Sequence, residues 1–272
     1  MLFDLNIPWP STTYAAPSAS EIAALKSILA MLQHLQYTHI ALNFQLDPSL
    51  KLTKKDFAKK SPNPIDLSLF EHQFNLKIYT RITLTLHDPA DFPGLKLFSD
   101  HFDLIAIKPL NDRALSVAIT NFDFDIISFN YKENLKYWLR NKAVHSGAAK
   151  GKYFEIVYAP VLQPDTRKNF LSVCKNLVRA SRSQGILISS GAERSVQVKT
   201  KLDLQIMCKI INIAPHRVAQ IINENPSKVM ISGRLRNQSY KQSVAMGSDI
   251  LETKKHKIDD DEIAVLRKLQ KK

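Results

Sequence analysis

The chain has 272 residues, 44% of them hydrophobic, with seven glycines, thirteen prolines and two cysteines. That supplies a sizeable core for one large α/β body, and with no Gly/Ser-rich tract before the last thirty-odd residues a flexible linker between two domains is excluded. Cys174 and Cys208 are too far apart for a CxxC pair or a zinc knuckle and read as buried, reduced thiols, and no stretch approaches the roughly 18 apolar residues of a membrane span, so a soluble intracellular protein is expected. The net charge of +13 is uneven: residues 1–136 carry 13 Lys+Arg against 14 Asp+Glu, and residues 137–272 carry 25 against 11. An excess confined to the second half points to a polyanionic partner, because each cation that neutralises a phosphate releases a condensed counterion.

Seven short apolar runs read as strands in chain order: "LFDLNI", "HIALNF", "KIYTRITLTL", "LIAIKPL", "IISFN", "YFEIVYA" and "GILISSG". They lack polar alternation, as parallel strands covered on both faces do. Between the first two, Ser18 and Glu21 form a capping-box pair ahead of Ile22, Leu25, Leu29 and Leu32, one apolar helix face. Between the sixth and seventh, Pro164 and Asp165 open a helix that buries Phe170, Cys174, Leu177, Val178 and Ser181 and shows water Arg167, Lys168, Lys175, Arg179 and Arg182. Alternation at this spacing predicts a TIM-barrel-like (β/α) barrel of seven or eight strands over residues 1–236. After the seventh strand "KLDLQIMCKIINI" and "PHRVAQIINENP" read as helices, and "SKVMISG" at 227–233 is the candidate eighth strand. Residues 237–272 read as a polar, flexible tail, with one short amphipathic helix on Ile263, Leu266 and Leu269 as its only ordered alternative.

Catalytic groups of a barrel enzyme sit at the C-terminal strand ends. Those ends offer Asp4 and Asn6, Asn43, Arg81, Lys108, Asp125 and Asn130, Glu155 and Tyr158, and Ser189 and Ser190. Eight scattered histidines form no HxH or HExxH, and no GxSxG, GxGxxG or P-loop occurs. Asp4, Asp125 and Glu155 could share one magnesium ion, but salt bridges to Arg81 or Lys108 are the simpler use. Lys108 as a Schiff-base lysine lacks a supporting Tyr or second Lys. No catalytic residue, metal or cofactor is therefore expected. The first strand, Asp4-Leu5-Asn6-Ile7-Pro8, has the shape of the Asp-x-His-x-His strand of the PHP metal-dependent phosphoesterases, with an amide and a proline at the two imidazole positions. A metal-dependent PHP-type phosphoesterase remains the alternative reading.

Eight ordered blocks, "DLNIPWP", "YTHIALNF", "YTRITLTL", "FDLIAIKPL", "FDFDIISF", "FEIVYAPVL", "ASRSQGILISSGAE" and "NENPSKVMISGRLRN", resemble the p30-type TIM-barrel protein subunit of eukaryotic and archaeal ribonuclease P, shared in eukaryotes with ribonuclease MRP. The resemblance implies a PHP-type barrel without a working metal centre, in a ribonucleoprotein whose RNA removes 5′ leaders from precursor tRNA or, in the MRP particle, processes precursor rRNA. It implies RNase P RNA, MRP RNA and a small ferredoxin-like protein subunit as partners, precursor tRNA only indirectly, and a nuclear, nucleolar location. Carried over by position, Arg81, Arg179, Arg182, Arg194, Arg234 and Arg236 are the expected RNA contacts, and Asp4, Asn6 and Asn43 the expected structural residues of the barrel rim. The arginine assignment agrees with the bidentate pairing of guanidinium with phosphate.

Overall fold

The computed structural model describes residues 1–238 apart from 49, 51–61, 71, 88–94, 136 and 138. Seven strands, β1 (Phe3–Pro8), β2 (His39–Gln45), β3 (Lys77–Leu86), β4 (Leu104–Pro109), β5 (Ile126–Ile127), β6 (Tyr153–Val157) and β7 (Ile186–Ser189), pair in parallel in sequence order. The helices are α1 (Ala19–His34), α2 (Lys96–Ser99), α3 (Asp112–Asn121), α4 (Asn141–Ala149), α5 (Pro164–Ser181), α6 (Lys201–Ile210), α7 (Pro215–Ala219) and α8 (Asn225–Gln238). All seven expected strands are present. The tail helix proposed around Ile263 lies outside the described residues.

Local chemistry sets the helix ends. In α1 the Glu21 N–H donates to Ser18 Oγ at 3.3 Å and the Ser18 N–H to Glu21 Oε2 at 2.7 Å, satisfying two orphan donors. Pro164 begins α5, where its missing N–H has no partner to lose. Arg182 ends that helix in the left-handed region at φ 52°, a conformation that glycine adopts at less cost.

Strands covered on both faces give two cores. The larger lies between the outside of the sheet and the helices, and contains Leu29, Leu32, Phe44, Phe98, Phe154, Phe170 and Leu177. The smaller fills the barrel at the N-terminal ends of the strands: Phe3, Leu5, Ala41, Tyr79, Leu104, Ala106, Ile126 and Leu187 meet Val229 and Met230 of α8.

That plug corrects the expected eighth strand, because "SKVMISG" is helical and lies within α8. A short apolar run does not by itself separate a strand from a buried helix. The separating signal is a four-residue spacing: Ile221 and Ile222, Asn225 and Pro226, Val229 and Met230, then Gly233 are buried, while Glu224, Lys228 and Ser232 are exposed. One widened π turn, Gln220–Glu224, precedes Pro226, whose ring and missing N–H are incompatible with a regular α turn. Gly233 lets α8 lie directly on β4, since a Cβ there would stand 2.3 Å from the Asp103 carbonyl oxygen.

Among the described residues no eighth strand closes the ring. The β1–β7 seam is held instead by the Gly191 N–H donating to the Asn6 carbonyl at 2.9 Å and the Ser190 N–H donating to Asp4 Oδ1 at 3.0 Å. Gly191 has φ +62°, and a Cβ on it would stand 2.4 Å from Val157 Cγ1, so only glycine turns the chain across this edge.

Candidate functional site

The pairing of β1 with β2 shifts register between Asp4 and Ile7. A bulge there lets two successive residues face inward, Leu5 into the apolar plug and Asn6 into the polar layer above it. At the centre of that layer Arg81 of β3 and Glu155 of β6 are both fully buried. The guanidinium donates Nη1 to Glu155 Oε1 at 2.5 Å, Nη2 to Oε2 at 2.7 Å, and Nη1 also to the Leu5 carbonyl at 2.8 Å. Glu155 further accepts from Ser189 Oγ and from Asn6 Nδ2. Asn6 Oδ1 accepts from Asn43 Nδ2 at 2.7 Å, and Asn43 Oδ1 from Thr83 Oγ1 at 2.8 Å. One hydrogen-bonded layer thus crosses β1, β2, β3, β6 and β7.

Burial alone would push the Glu155 carboxyl up. The Arg81 charge, with hydrogen bonds from Arg81, Ser189 and Ser128, outweighs burial and holds it below the usual carboxylate range. Asp4 shows the opposite balance. Burial, with a smaller push from Glu155, raises it to about 6 against the hydrogen bonds from Ser190 and Asn6, and its Oδ2 finds no partner among the described residues.

Asp4, Asn6 and Asn43 therefore lie in the interior layer and the β1–β7 seam, and the expected arginines divide. Arg81 is removed from the RNA-facing set, because its guanidinium is enclosed and committed to Glu155. Arg236 is removed as well: its side chain is 6% exposed, with Nη2 on Asp125 Oδ2 at 2.9 Å and on the Asp103 carbonyl, and Nη1 on the Ser99 carbonyl, so it fastens α8 under β4 and β5. Arg179, Arg182 and Arg194 are exposed and Arg234 is half-buried. Arg179 and Arg182 stand where α5 leads into β7, and Arg234 on α8 under the barrel, so these three share its N-terminal end. Arg194 follows β7 at the other end.

The three carboxylates considered for magnesium do not converge. Asp125 precedes β5 at the N-terminal end with Arg236, Glu155 is bound by Arg81, and Asp4 bridges the seam. Among the described residues no group of three His, Cys, Asp or Glu could hold a metal ion. The mouth presents amides and Lys108 where a phosphoesterase needs imidazoles and carboxylates, so the residues do not fit a catalytic metal. Burial raises both thiols, Cys208 to about 12 and Cys174 well above its usual value, which leaves both inert.

One surface escaped sequence reasoning. Leu202, Ile206 and Ile210 of α6 are 63%, 48% and 57% exposed at four-residue spacing, beside a groove of about 300 Å³ lined by Val161, Leu162, Leu171 and Met207. The opposite face buries Leu204 and Cys208. Its apolar positions spread round much of the helix, interrupted by Lys201, Asp203, Gln205 and Lys209, and that breadth was the available signal.

Fold and site define a TIM-barrel-like scaffold whose interior is locked by a neutralised ion pair. The sequence profile of RNase P subunit p30 matches residues 1–238. The chain is 35% identical over 253 residues to the ribonuclease P/MRP protein subunit RPP1 of Saccharomyces cerevisiae, covering 91% of this chain and 85% of that protein. It is 24% identical to ribonuclease P protein subunit p30 of Mus musculus, covering 92% and 94%. Among solved structures, a chain of an archaeal ribonuclease P with mature tRNA superimposes with a TM-score of 0.58 at 17% identity, covering 93% of this chain and 100% of that one. An organophosphorus hydrolase from Deinococcus radiodurans superimposes at 0.52 with 11% identity, covering 84% and 91%. The last two likenesses speak to the fold. The chain belongs to the RNase P subunit p30 family.

Proposed function

We propose that this chain is a non-catalytic protein subunit of the ribonuclease P and ribonuclease MRP ribonucleoproteins, supporting RNA-catalysed removal of 5′ leaders from precursor tRNA and processing of precursor rRNA in the nucleus and nucleolus. The observation that carries the non-catalytic reading is the Arg81–Glu155 pair, which occupies the carboxylate at the barrel centre and leaves amides around it. The similarity to the yeast ribonuclease P/MRP subunit supports the assignment to both particles.

RNase P RNA and MRP RNA are held electrostatically by Arg179, Arg182 and Arg234 at the N-terminal end of the barrel and by Arg194 at the other, with precursor tRNA reached only through the particle. The apolar stripe of α6 receives the neighbouring small ferredoxin-like subunit, which covers Leu202, Ile206 and Ile210. Affinity-tagged protein should recover both RNAs from cell extract, and depletion should leave leader-bearing tRNA precursors. Recovery of neither RNA, or turnover of precursor tRNA by the purified polypeptide alone, overturns the proposal. An Ile206→Glu variant should keep its stability and its RNA while losing that protein neighbour, since the side chain is already in water.

A further inference from the structure

The mouth at the C-terminal strand ends is a cavity of about 310 Å³, floored by the Asn6, Asn43 and Thr83 layer and walled by the chain after β5 and β7. Lys108, the penultimate residue of β4, lines it and is half-buried. No hydrogen bond or salt bridge to its ammonium group is made among the described residues. Burial is the largest influence that lowers its pKa, the nearby charge of Lys132 lowers it further, and Glu133 acts in the opposite sense. The most deeply buried cations among the described residues have acidic partners: Arg81 has Glu155, Arg236 has Asp125, and Lys152 has Asp123 together with the Phe124 carbonyl.

Lys132 lines the same cavity, and its closest carboxylate, Glu193 Oε1, is 3.9 Å away with both side chains well exposed, a pairing of little worth. The rest of the lining is rich in neutral donors. Asn130 Oδ1 accepts from the Lys132 N–H and Gln197 Oε1 accepts from the Glu193 and Arg194 N–H groups, which turns the carbonyl side of both amides toward the backbone. The cavity thus brings together two ammonium groups, one carboxylate and six side-chain amides.

We infer that the mouth of the barrel is a binding site for a near-dianionic phosphate group, that of a monoester or of free phosphate, gripped by Lys108 and Lys132. A half-buried ammonium with no carboxylate in direct contact is destabilised by desolvation that the more distant Glu133 does not offset, and a bound anion relieves that penalty. A monoester carries close to two negative charges at neutral pH, matching two lysines, whereas one carboxylate would match one. The volume takes a phosphate with one sugar and excludes a duplex. The site lies apart from the arginines under the barrel, and its test uses the isolated full-length chain, so it stands or falls independently of the ribonucleoprotein reading.

The experiment is a titration of ¹⁵N-labelled protein with inorganic phosphate against chloride at equal ionic strength. Saturable shifts are expected at Asn130, Gly191 and Gln197. Lys108→Gln should weaken binding at least tenfold and Lys132→Gln severalfold, whereas Lys175→Gln on the outer face of α5 should change nothing. Thermal melts establish that Lys108→Gln is folded, and Lys108→Met serves as a second variant if it is not. Competition identifies the source: displacement by a 5′-phosphorylated trinucleotide but not its 5′-hydroxyl form assigns an RNA end, and displacement by neither assigns free phosphate. Absence of shifts at the mouth, equal binding by folded Lys108→Gln, or equal competition by the 5′-hydroxyl trinucleotide overturns the inference.

Discussion

Replacing Arg81 by Met removes one half of a fully buried ion pair and leaves the other half where it was. Three hydrogen bonds disappear, two to Glu155 and one to the Leu5 carbonyl, and Glu155 keeps only Ser189, Ser128 and the 3.3 Å contact from Asn6. Breaking a buried pair from one side costs about 3–5 kcal/mol, because the remaining charge has neither water nor partner. For a domain of this size that is a fall in Tm of roughly 6–20 °C, at roughly 2–4 °C per kcal/mol. The pH dependence distinguishes this cause from a simple cavity. In the native protein Glu155 is held below its unfolded value, so its stabilisation is full above that value and is lost as pH falls from there through the lower folded value. In Arg81→Met the largest opposing influence is gone and burial, set only against the remaining hydrogen bonds, pushes the carboxyl up, so acidification relieves the variant while weakening the wild type, and the two curves converge at low pH. Urea titrations from pH 4 to 8 measure both, with Arg81→Met/Glu155→Leu as the paired control. A loss below about 1 kcal/mol, a loss independent of pH, or a double variant as unstable as the sum of the singles would refute the reasoning.

Asp4 titrates near 6, above its unfolded value of 3.8, so the folded state binds the proton more tightly and stability should fall as pH rises from about 4 to 6; Asp4→Asn should abolish that slope in the same urea series. Gly233→Ala sets helix propensity, about 1 kcal/mol in favour of Ala, against a Cβ placed 2.3 Å from the Asp103 oxygen and 2.8 Å from Leu104 Cδ2, and overpacking should win by about 1–3 kcal/mol. A stabilised Gly233→Ala protein would mean that α8 does not press on β4 in solution. Arg182→Gly removes an exposed charge and relaxes a left-handed residue at φ 52°, so stability should hold or rise while the log–log salt slope of RNA binding falls by about one, as read by filter binding at several salt concentrations. An unchanged slope would assign Arg182 to a protein contact.

How much was legible depends on whether a residue's neighbours in space share its period in sequence. The seven strands and the α1 and α5 faces repeat their apolar positions within a few residues, so a linear reading finds them. Arg81 and Glu155 are 74 residues apart, and nothing local to "YTRITLTL" says that its arginine faces a carboxylate and not an RNA phosphate. Arg236 was misread for the same reason: "GRLRN" is a basic cluster on paper, and burial against Asp125, 111 residues earlier, divides it into one surface arginine and one clasp. For α8 the short apolar run was legible and its period was not used. The breadth of apolar positions on α6 was legible, but that Leu204 and Cys208 are buried while Leu202, Ile206 and Ile210 are exposed depends on neighbours outside its own window of sequence.

The interior layer bears on the proposal that a barrel of this shape serves as scaffolding. In a hydrolytic barrel the polar groups above the plug are left under-satisfied until a metal or substrate arrives, a strain that destabilises the empty protein. Here the same layer is closed by internal partners from Thr83 through Asn43 and Asn6 to Glu155 and Arg81, and Asp4 Oδ2 and Arg81 Nε are the atoms beside it that find no partner among the described residues. Closing the centre gives a rigid wall, and on the proposed reading rigidity is what a surface needs if it is to hold a large polyanion in one orientation with a few arginines. On that reading specificity falls to the outer surfaces, the arginines at the N-terminal end of the barrel and the apolar stripe of α6, which mutation can alter without disturbing the core.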